Sequence, residues 1–171
     1  LVRAVMCGGR SAVFKSKEGA EDDVRRGASD LQRLIRRGAA VVGIAASGVT
    51  PYVLGALKAA SRADCKTILV TSNHRPALRG LDVVICPRVG PEALAGSTRM
   101  KSGTAAKLVL NAITTASMVR LGKAYGNRMV DVVPISRKLR ARALRLVCEL
   151  GRVNPAQGRR LLASTGGRVK E

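Results

Sequence analysis

Apolar runs bounded by glycine, serine, asparagine or proline recur along the first half of the chain. They lie at Leu1–Met6, Ala39–Ala45, Thr67–Thr71 and Asp82–Cys86. Their lengths and their content of β-branched residues are typical of strands that are buried on both faces. Helical patterns lie between most of these runs, and strands that alternate with helices pair in parallel. The pattern therefore predicts an α/β fold with a doubly wound parallel sheet.

Apolar residues at helical spacing predict the elements that connect and follow these strands. Ala20–Arg37 has apolar side chains close to a 3.6-residue spacing and is interpreted as one amphipathic helix. A second helix starts with Thr50 as its N-cap and Pro51 at the first helical position, and it extends to about Arg62. After the fourth strand only helices are predicted, at Lys101–Leu121, Ser136–Gly151 and Pro155–Ala163.

The chain is strongly basic, with 31 Lys+Arg against 11 Asp+Glu and a formal net charge of +20. Cationic surfaces bind nucleic acid by displacing counterions from its phosphates. Aromatic residues make up only 2% of the chain and Trp is absent, so the stacking platforms of single-strand-binding modules are missing. We therefore expect no specific nucleic-acid partner, whereas nonspecific adhesion to polyanions stays an alternative.

No apolar stretch reaches the roughly 20 residues of a membrane span, and the first residues lack the long apolar run of a secretory signal. We expect a cytoplasmic protein without a membrane partner. The single histidine, His74, lies in the polar turn SNHRP and is interpreted as a loop residue. The cysteines form no CxxC pair, so the sequence indicates neither a zinc site nor a disulfide framework. These cysteines are Cys7, Cys65, Cys86 and Cys148.

The turn after the second predicted strand carries the clearest candidate chemistry. Ligands of open α/β sheets bind beyond the carboxyl ends of the strands, where helix N-termini present free N–H groups. Here the strand leads into ASGVTP at Ala46–Pro51, which has two hydroxyls, a glycine and no acid. Backbone N–H groups and the hydroxyls of Ser47 and Thr50 could surround a phosphate. The alternative is an ordinary Ser/Gly turn followed by an N-cap.

Two further polar clusters are candidates on pattern alone. GSTRMKSGT at Gly96–Thr104 precedes a helix and fits either a cleft wall or an N-terminal cap. EGAEDD at Glu18–Asp23 holds four of the 11 carboxylates. Its acids could complement a helix dipole, or one of them could be a catalytic carboxylate.

Taken together, four segments closely resemble the N-acetylmuramic acid 6-phosphate etherases and, more distantly, the glucokinase regulatory protein. They are EGAEDD at Glu18–Asp23, VGIAASGVTPYV at Val42–Val53, VGPEALAGSTRMKSGTAAKLVLNAI at Val89–Ile113 and GKAYGNRMVDV at Gly122–Val132. The similarity runs from residue 1 to about residue 163. It implies the fold of the sugar isomerase (SIS) domain, with flavodoxin-like strand order, and a homodimer.

The resemblance implies a lyase that binds a phosphorylated amino sugar and needs no cofactor or metal. Such enzymes cleave the D-lactyl ether of N-acetylmuramic acid 6-phosphate, giving N-acetylglucosamine 6-phosphate and D-lactate in cell-wall recycling. In the family's proposed mechanism one glutamate abstracts the proton at carbon 2, and another protonates the departing ether oxygen. Water then adds to the unsaturated sugar. Glu21 matches the base. The family's substrate-binding positions match Ser47, Gly48, Thr50, Ser97, Thr98 and Lys101.

The chain departs from the family at two places. The family loop reads ASGRTP, with an arginine where this chain has Val49. The family's first strand, its GAGTSGR loop and the ASE motif that carries the proposed acid would all precede Leu1. That strand would lie between those matching Leu1–Met6 and Ala39–Ala45. We therefore expect a truncated chain whose sheet lacks its first strand, leaving four strands with a gap or a rearranged pairing.

These considerations give a domain organisation and a second functional hypothesis. We expect a partial SIS domain at residues 1–134, a C-terminal helical segment at 135–163 and a disordered tail at 164–171. The alternative to a lyase is a noncatalytic SIS sensor of sugar phosphates, or an inactive remnant. Glu21 favours the lyase, whereas Val49 and the missing acid favour the alternative.

Overall fold

A computed structural model of the chain describes residues 2–170. It divides into two compact units, one ending at Leu110 and one starting at Asn111. The first unit contains a parallel sheet of three strands in the order β1-β2-β3. The strands are β1 (Ala40–Ile44), β2 (Lys66–Val70) and β3 (Val83–Ile85). Three of the four predicted strands and the predicted α/β fold with a parallel sheet are confirmed.

Three helices lie on or beside this sheet. They are α1 (Val24–Gln32), α2 (Pro51–Arg62) and α3 (Lys101–Arg120), which extends beyond the first unit. On one face, Leu57 of α2 is fully buried against Ala45 and Leu69. The start of α3 lies over the other face, where Ser102 lines a cavity together with Ile44 and other sheet residues. The sheet is therefore doubly wound, as the sequence predicts.

The structure corrects the prediction of a strand at Leu1–Met6. Leu1 lies outside the described residues, and residues 2–6 form no strand. Arg3 and Val5 instead line two cavities of about 420 and 330 Å³, with residues of β1 on the other side. Since a strand is stable only when its backbone N–H and C=O groups find partners, an extended segment beside a gap stays irregular. The expectation of a four-stranded parallel sheet is therefore wrong for residues 2–170, where that sheet has three strands and cavities lie beside β1.

The single helix predicted at Ala20–Arg37 is also wrong in its bounds. Ala20–Asp22 is a short 3₁₀ turn, and α1 begins only after it. The carboxylate of Asp23, which has extended backbone, accepts a hydrogen bond from the N–H of Arg26 at 2.8 Å. Asp23 is thus the N-cap of α1, and its capping conformation interrupts the helix that apolar spacing alone predicts.

Helices α1 and α2 approach each other closely at two glycines. A Cβ atom on Gly27 would overlap the carbonyl oxygen of Tyr52, and one on Gly55 would overlap that of Val24. The buried Tyr52 also donates a hydrogen bond from its hydroxyl to Asp30 at 3.0 Å. Burial, followed by this hydrogen bond, raises the pKa of Tyr52 to about 12. The close packing of α1 against α2 therefore requires glycine at both positions, and the hydrogen bond of the buried tyrosine adds to it.

Asp82, the residue before β3, links this strand to the amino end of β2. Its carboxylate accepts hydrogen bonds from the N–H and the hydroxyl of the buried Thr67, each at 2.8 Å, and from the ammonium of Lys66 at 2.8 Å. The Lys66 hydrogen bond, with those of Thr67, holds the pKa of Asp82 well below its usual range. Since this interaction lies at the amino ends of the strands, it leaves their carboxyl ends free for a ligand.

The second unit contains the end of α3 and, among the described residues, two further helices and a hairpin. The helices α4 (Arg137–Gly151) and α5 (Pro155–Ser164) lie where they are predicted, within one or two residues at each end. The short hairpin of β4 (Ala124–Tyr125) and β5 (Arg128–Met129) is missed by the sequence interpretation. Buried apolar residues of this unit are Val130, Val132, Ala143 and Leu146. Within residues 2–170, no helix has both the length and the apolar character to cross a membrane.

Replacement of Gly55 by alanine tests the close approach of α1 and α2. The new methyl group would overlap the Val24 carbonyl, so Gly55→Ala should lower the free energy of unfolding by about 1–3 kcal/mol. Gly103→Ala is the matched control, because its Cβ would lie 3.7 Å from the nearest described atom, the Thr98 carbonyl oxygen. This control should be neutral or stabilising by up to about 1 kcal/mol. Equal effects in urea unfolding would contradict the close approach.

Candidate functional site

The turn that follows β1 is built around one glycine and one serine hydroxyl. Gly48 has a φ of 71°, and its N–H donates to the Ala45 carbonyl at 2.9 Å. A Cβ there would lie 2.9 Å from the Thr71 hydroxyl, so glycine is required for both conformation and space. The exposed Ser47 accepts a hydrogen bond from the N–H of Val49 at 3.3 Å. The turn is therefore tightly wound, with the Ser47 side chain at its surface.

Helix α2 begins directly after this turn and has no side-chain cap. Thr50 occupies the predicted N-cap position, and Pro51 the first helical position, but the Thr50 side chain makes no capping hydrogen bond. N–H groups in the first turn of a helix have no acceptor within the helix. The half-buried Thr50 instead lines the cavity of about 330 Å³ beside β1. The start of α2 thus combines a positive dipole end with a hydroxyl that is not used for capping.

The loop after β2 holds the Ser47 turn in place. The buried Thr71 donates its hydroxyl hydrogen to the Ala46 carbonyl at 3.1 Å. Asn73 donates from its side-chain amide to the Ser47 carbonyl at 2.8 Å, and its own N–H donates to the Thr71 hydroxyl at 3.1 Å. Sequence reasoning missed both residues. The available signal was the polar sequence TSN immediately after an apolar strand, since parallel strands bring their carboxyl ends to one edge.

The GSTR segment reaches the same edge of the sheet. Thr98 lines a cavity of about 170 Å³ with Ala46, Ser72 and the buried Ser102. Ser97 is half-buried and donates its N–H to the Leu94 carbonyl at 3.0 Å. The structure therefore brings Thr98 together with the beginning of the Ser47 turn, although the two are about 50 residues apart in the sequence.

Lys101 and Glu92 organise the start of α3. Glu92 accepts hydrogen bonds from the N–H groups of Lys101 and Ser102, each at 3.0 Å. The N–H of Ser102, and then that of Lys101, hold the pKa of Glu92 below its usual range. The ammonium of Lys101 donates to the Pro91 carbonyl at 2.6 Å. Glu92 therefore caps α3 although it precedes the helix by nine residues. The Lys101 ammonium closes the intervening loop by its hydrogen bond to the Pro91 carbonyl.

Glu21 lies in the 3₁₀ turn Ala20–Asp22, and its side chain is exposed. This turn follows Gly19, which has a φ of 73°, and it packs against α2. Helix α2 therefore contacts the turn that carries Glu21 and also continues directly from the Ser47 turn. Within the described residues, no hydrogen bond or ion pair joins the Glu21 carboxylate to Ser47, Thr50 or Thr98.

Comparison with known proteins finds similar sequences that agree with one another. The family description "Glucokinase regulatory protein N-terminal SIS domain" matches residues 2–61. An N-acetylmuramic acid 6-phosphate etherase of Symbiobacterium thermophilum is 49% identical, with 100% of this chain and 57% of the relative covered. The chain is a homologue of these etherases.

Two further relatives carry the same name. The N-acetylmuramic acid 6-phosphate etherase 2 of Vibrio cholerae is 52% identical over 87% of this chain and 49% of its own length. The etherase of Rhizobium rhizogenes is 48% identical over 99% of this chain and 56% of its own length. This chain therefore spans about half the length of the etherases that it matches. The SIS fold and the resemblance predicted from the sequence motifs are confirmed.

Replacement of Glu92 by glutamine tests the distant cap of α3. Because the folded pKa of Glu92 is lowered, the cap is fully formed above the ordinary glutamate pKa of about 4.3 and is lost as the pH falls through the lower folded value. In an NMR titration, the amide signals of Lys101 and Ser102 should therefore shift with a midpoint below about 4.3. Glu92→Gln should abolish this step. A midpoint above the ordinary value would show that the cap does not form.

Proposed function

We propose that this chain forms the sugar-phosphate-binding part of a lyase that cleaves the D-lactyl ether of N-acetylmuramic acid 6-phosphate. The observation that carries the proposal is the acid-free turn at Ser47–Thr50, which lies at the carboxyl end of β1 before an uncapped helix. Its relatives bear the name of this etherase, and two of them are 49% and 52% identical to the chain over the aligned residues. The same homology supports a homodimer in the cytoplasm as part of the proposal.

The turn suits a phosphate for electrostatic and steric reasons. The first turn of α2 offers N–H groups and the positive end of a helix dipole, both of which favour an anion. The hydroxyls of Ser47 and Thr50 add donors, and no carboxylate lies in the turn to repel the ligand. Thr98 contributes a third hydroxyl from the cavity at the same edge. In the proposed site, Ser47, Gly48 and Thr50 hold the phosphate, and Ser97, Thr98 and Lys101 form the neighbouring wall.

Glu21 is the proposed base. Removal of lactate requires loss of the proton at carbon 2 of the sugar and departure of the ether oxygen from carbon 3. A carboxylate can accept that proton when the bound substrate places it within hydrogen-bonding distance. Glu21 lies on a turn that packs against α2. A sugar whose phosphate binds at the start of α2 would therefore lie near the helix that contacts this turn. The proposed acid is not assigned to any residue of this chain.

A noncatalytic sensor of sugar phosphates is the second candidate function. Two observations favour it: residues 2–61 match the SIS domain of a regulatory protein, and Val49 places an aliphatic side chain in the turn. Such a sensor would use the same phosphate turn but would not need Glu21 as a base. The two candidates therefore differ in the effect of Glu21 on turnover rather than in binding.

Thr50→Ala separates a phosphate-binding hydroxyl from a structural cap. Replacement of a capping threonine by alanine lowers the free energy of unfolding by about 1 kcal/mol. Thr50 makes no capping hydrogen bond. We therefore expect little change in unfolding free energy and about a tenfold loss of affinity for N-acetylglucosamine 6-phosphate in calorimetry, the equivalent of one hydrogen bond to a charged group. Ser136→Ala is the control, because Ser136 does cap α4. It should reduce stability and leave affinity unchanged. The reverse pattern would refute the phosphate turn.

Glu21→Gln tests the lyase. Lactate release from N-acetylmuramic acid 6-phosphate should fall by at least about 100-fold, because a general base contributes that much, while binding of the sugar phosphate stays intact. Glu18→Gln is the matched control, since Glu18 is an exposed acid of the same segment that accepts a hydrogen bond from Ser16. It should leave turnover unchanged. Saturable binding without lactate release by the unaltered chain would favour the sensor.

A further inference from the structure

The only histidine of the chain lies beside a cysteine at the same end of the sheet as the phosphate turn. Cys86 directly follows β3 and is half-buried, and His74 is exposed in the loop after β2. The Cys86 sulfur lies 3.4 Å from the Nδ1 atom of His74. This contact joins residues that are 12 positions apart, so it is made by the fold of the sheet and not by a local turn.

A thiol next to an imidazole has a chemistry that neither group has alone. A neighbouring imidazole can act as a general base that accepts the thiol proton as the sulfur attacks an electrophile. Partial exposure of Cys86 allows a small electrophile to reach the sulfur. The proposed lyase mechanism uses neither residue.

We propose that Cys86 and His74 form a thiol–imidazole pair, that Cys86 is thereby the reactive cysteine of the chain, and that its covalent modification loosens the Ser47 turn. With an alkyl iodide, the sulfur attacks the carbon, an S–C bond forms and the C–I bond breaks. The thiol proton moves to Nδ1 of His74 and iodide leaves. The modified side chain then occupies the space beside the imidazole.

The remaining cysteines provide the internal comparison. Cys65 is buried and donates its thiol to the Arg36 carbonyl at 3.3 Å, so it is inaccessible. Cys7 and Cys148 are half-buried like Cys86, but neither has a described contact with a histidine. Exposure alone therefore predicts similar reactivity for three thiols, whereas the imidazole singles out Cys86.

The path from this pair to the phosphate turn consists of the loop after β2. His74 directly follows Asn73, which donates its side-chain amide to the Ser47 carbonyl at 2.8 Å. The Asn73 N–H also donates to Thr71, which in turn holds the Ala46 carbonyl. An adduct on Cys86 displaces His74, and displacement of His74 pulls on Asn73. Loss of sugar-phosphate affinity as a consequence rests on the proposed function, but loosening of the turn does not.

The experiment measures the alkylation rate of each cysteine in the full chain. The reduced protein is treated with iodoacetamide at neutral pH, and the labelled peptides are quantified by mass spectrometry over time. Cys86 should react at least about tenfold faster than Cys7 and Cys148. His74→Gln should reduce the Cys86 rate to that of Cys7 and leave the other two rates unchanged. A Cys86 rate equal to that of Cys7, or one that His74→Gln does not lower, would overturn the pair.

Coupling to the Ser47 turn is read by hydrogen exchange, which does not depend on any ligand. Labelled protein should exchange the Gly48 and Val49 amides faster than unlabelled protein, while exchange within β2 stays unchanged. Cys86→Ser should make exchange insensitive to the reagent, and Cys7→Ser should leave it sensitive. Unchanged exchange in labelled protein would overturn the coupling. If the labelled protein shows this faster exchange but the unlabelled chain does not bind the sugar phosphate, the proposed function is refuted and the coupling is not.

Discussion

The parallel pairing of β1 with β2 is the constraint on which the rest of the first unit depends. Ile44 pairs with Val70 at the last position of both strands, so the two following loops leave the sheet side by side. This register allows Thr71 and Asn73 to hydrogen-bond to the carbonyls of the turn after β1. The candidate phosphate turn is therefore held in shape by hydrogen bonds from the neighbouring loop of the same sheet.

Much of this arrangement could be predicted from the sequence, because its signals are local. Short apolar runs rich in β-branched residues fix β1 and β2, and proline after threonine fixes the start of α2. The turn at Ser47 was recognisable because it combines glycine and hydroxyls at a strand-to-helix junction. Thr50 lies at the predicted N-cap position, but its side chain does not make the capping hydrogen bond that this position predicts. Such a bond depends on the side-chain rotamer, which the sequence position does not determine.

The features that were missed depend on partners distant in the sequence. Val2–Met6 has the composition of a strand, yet a strand requires a paired backbone, and no described strand pairs with this segment. Glu92 caps a helix that starts nine residues later, beyond the three-residue spacing at which capping patterns are recognised. Asn73 contacts Ser47 across two strands. Each of these contacts is set by the tertiary fold, and local propensity carries no information about it.

The segment from Pro91 to Lys101 is fastened at its two ends by the Glu92 carboxylate and the Lys101 ammonium. The entropic cost of closing a loop rises only slowly with its length. Residues added or removed near Leu94 would therefore change the contour of this segment without moving the first turn of α3. In the proposed site, this segment can therefore change the shape of the wall beside the Ser47 turn, and with it the size of the sugar substituent that the site would admit, without changing the turn itself.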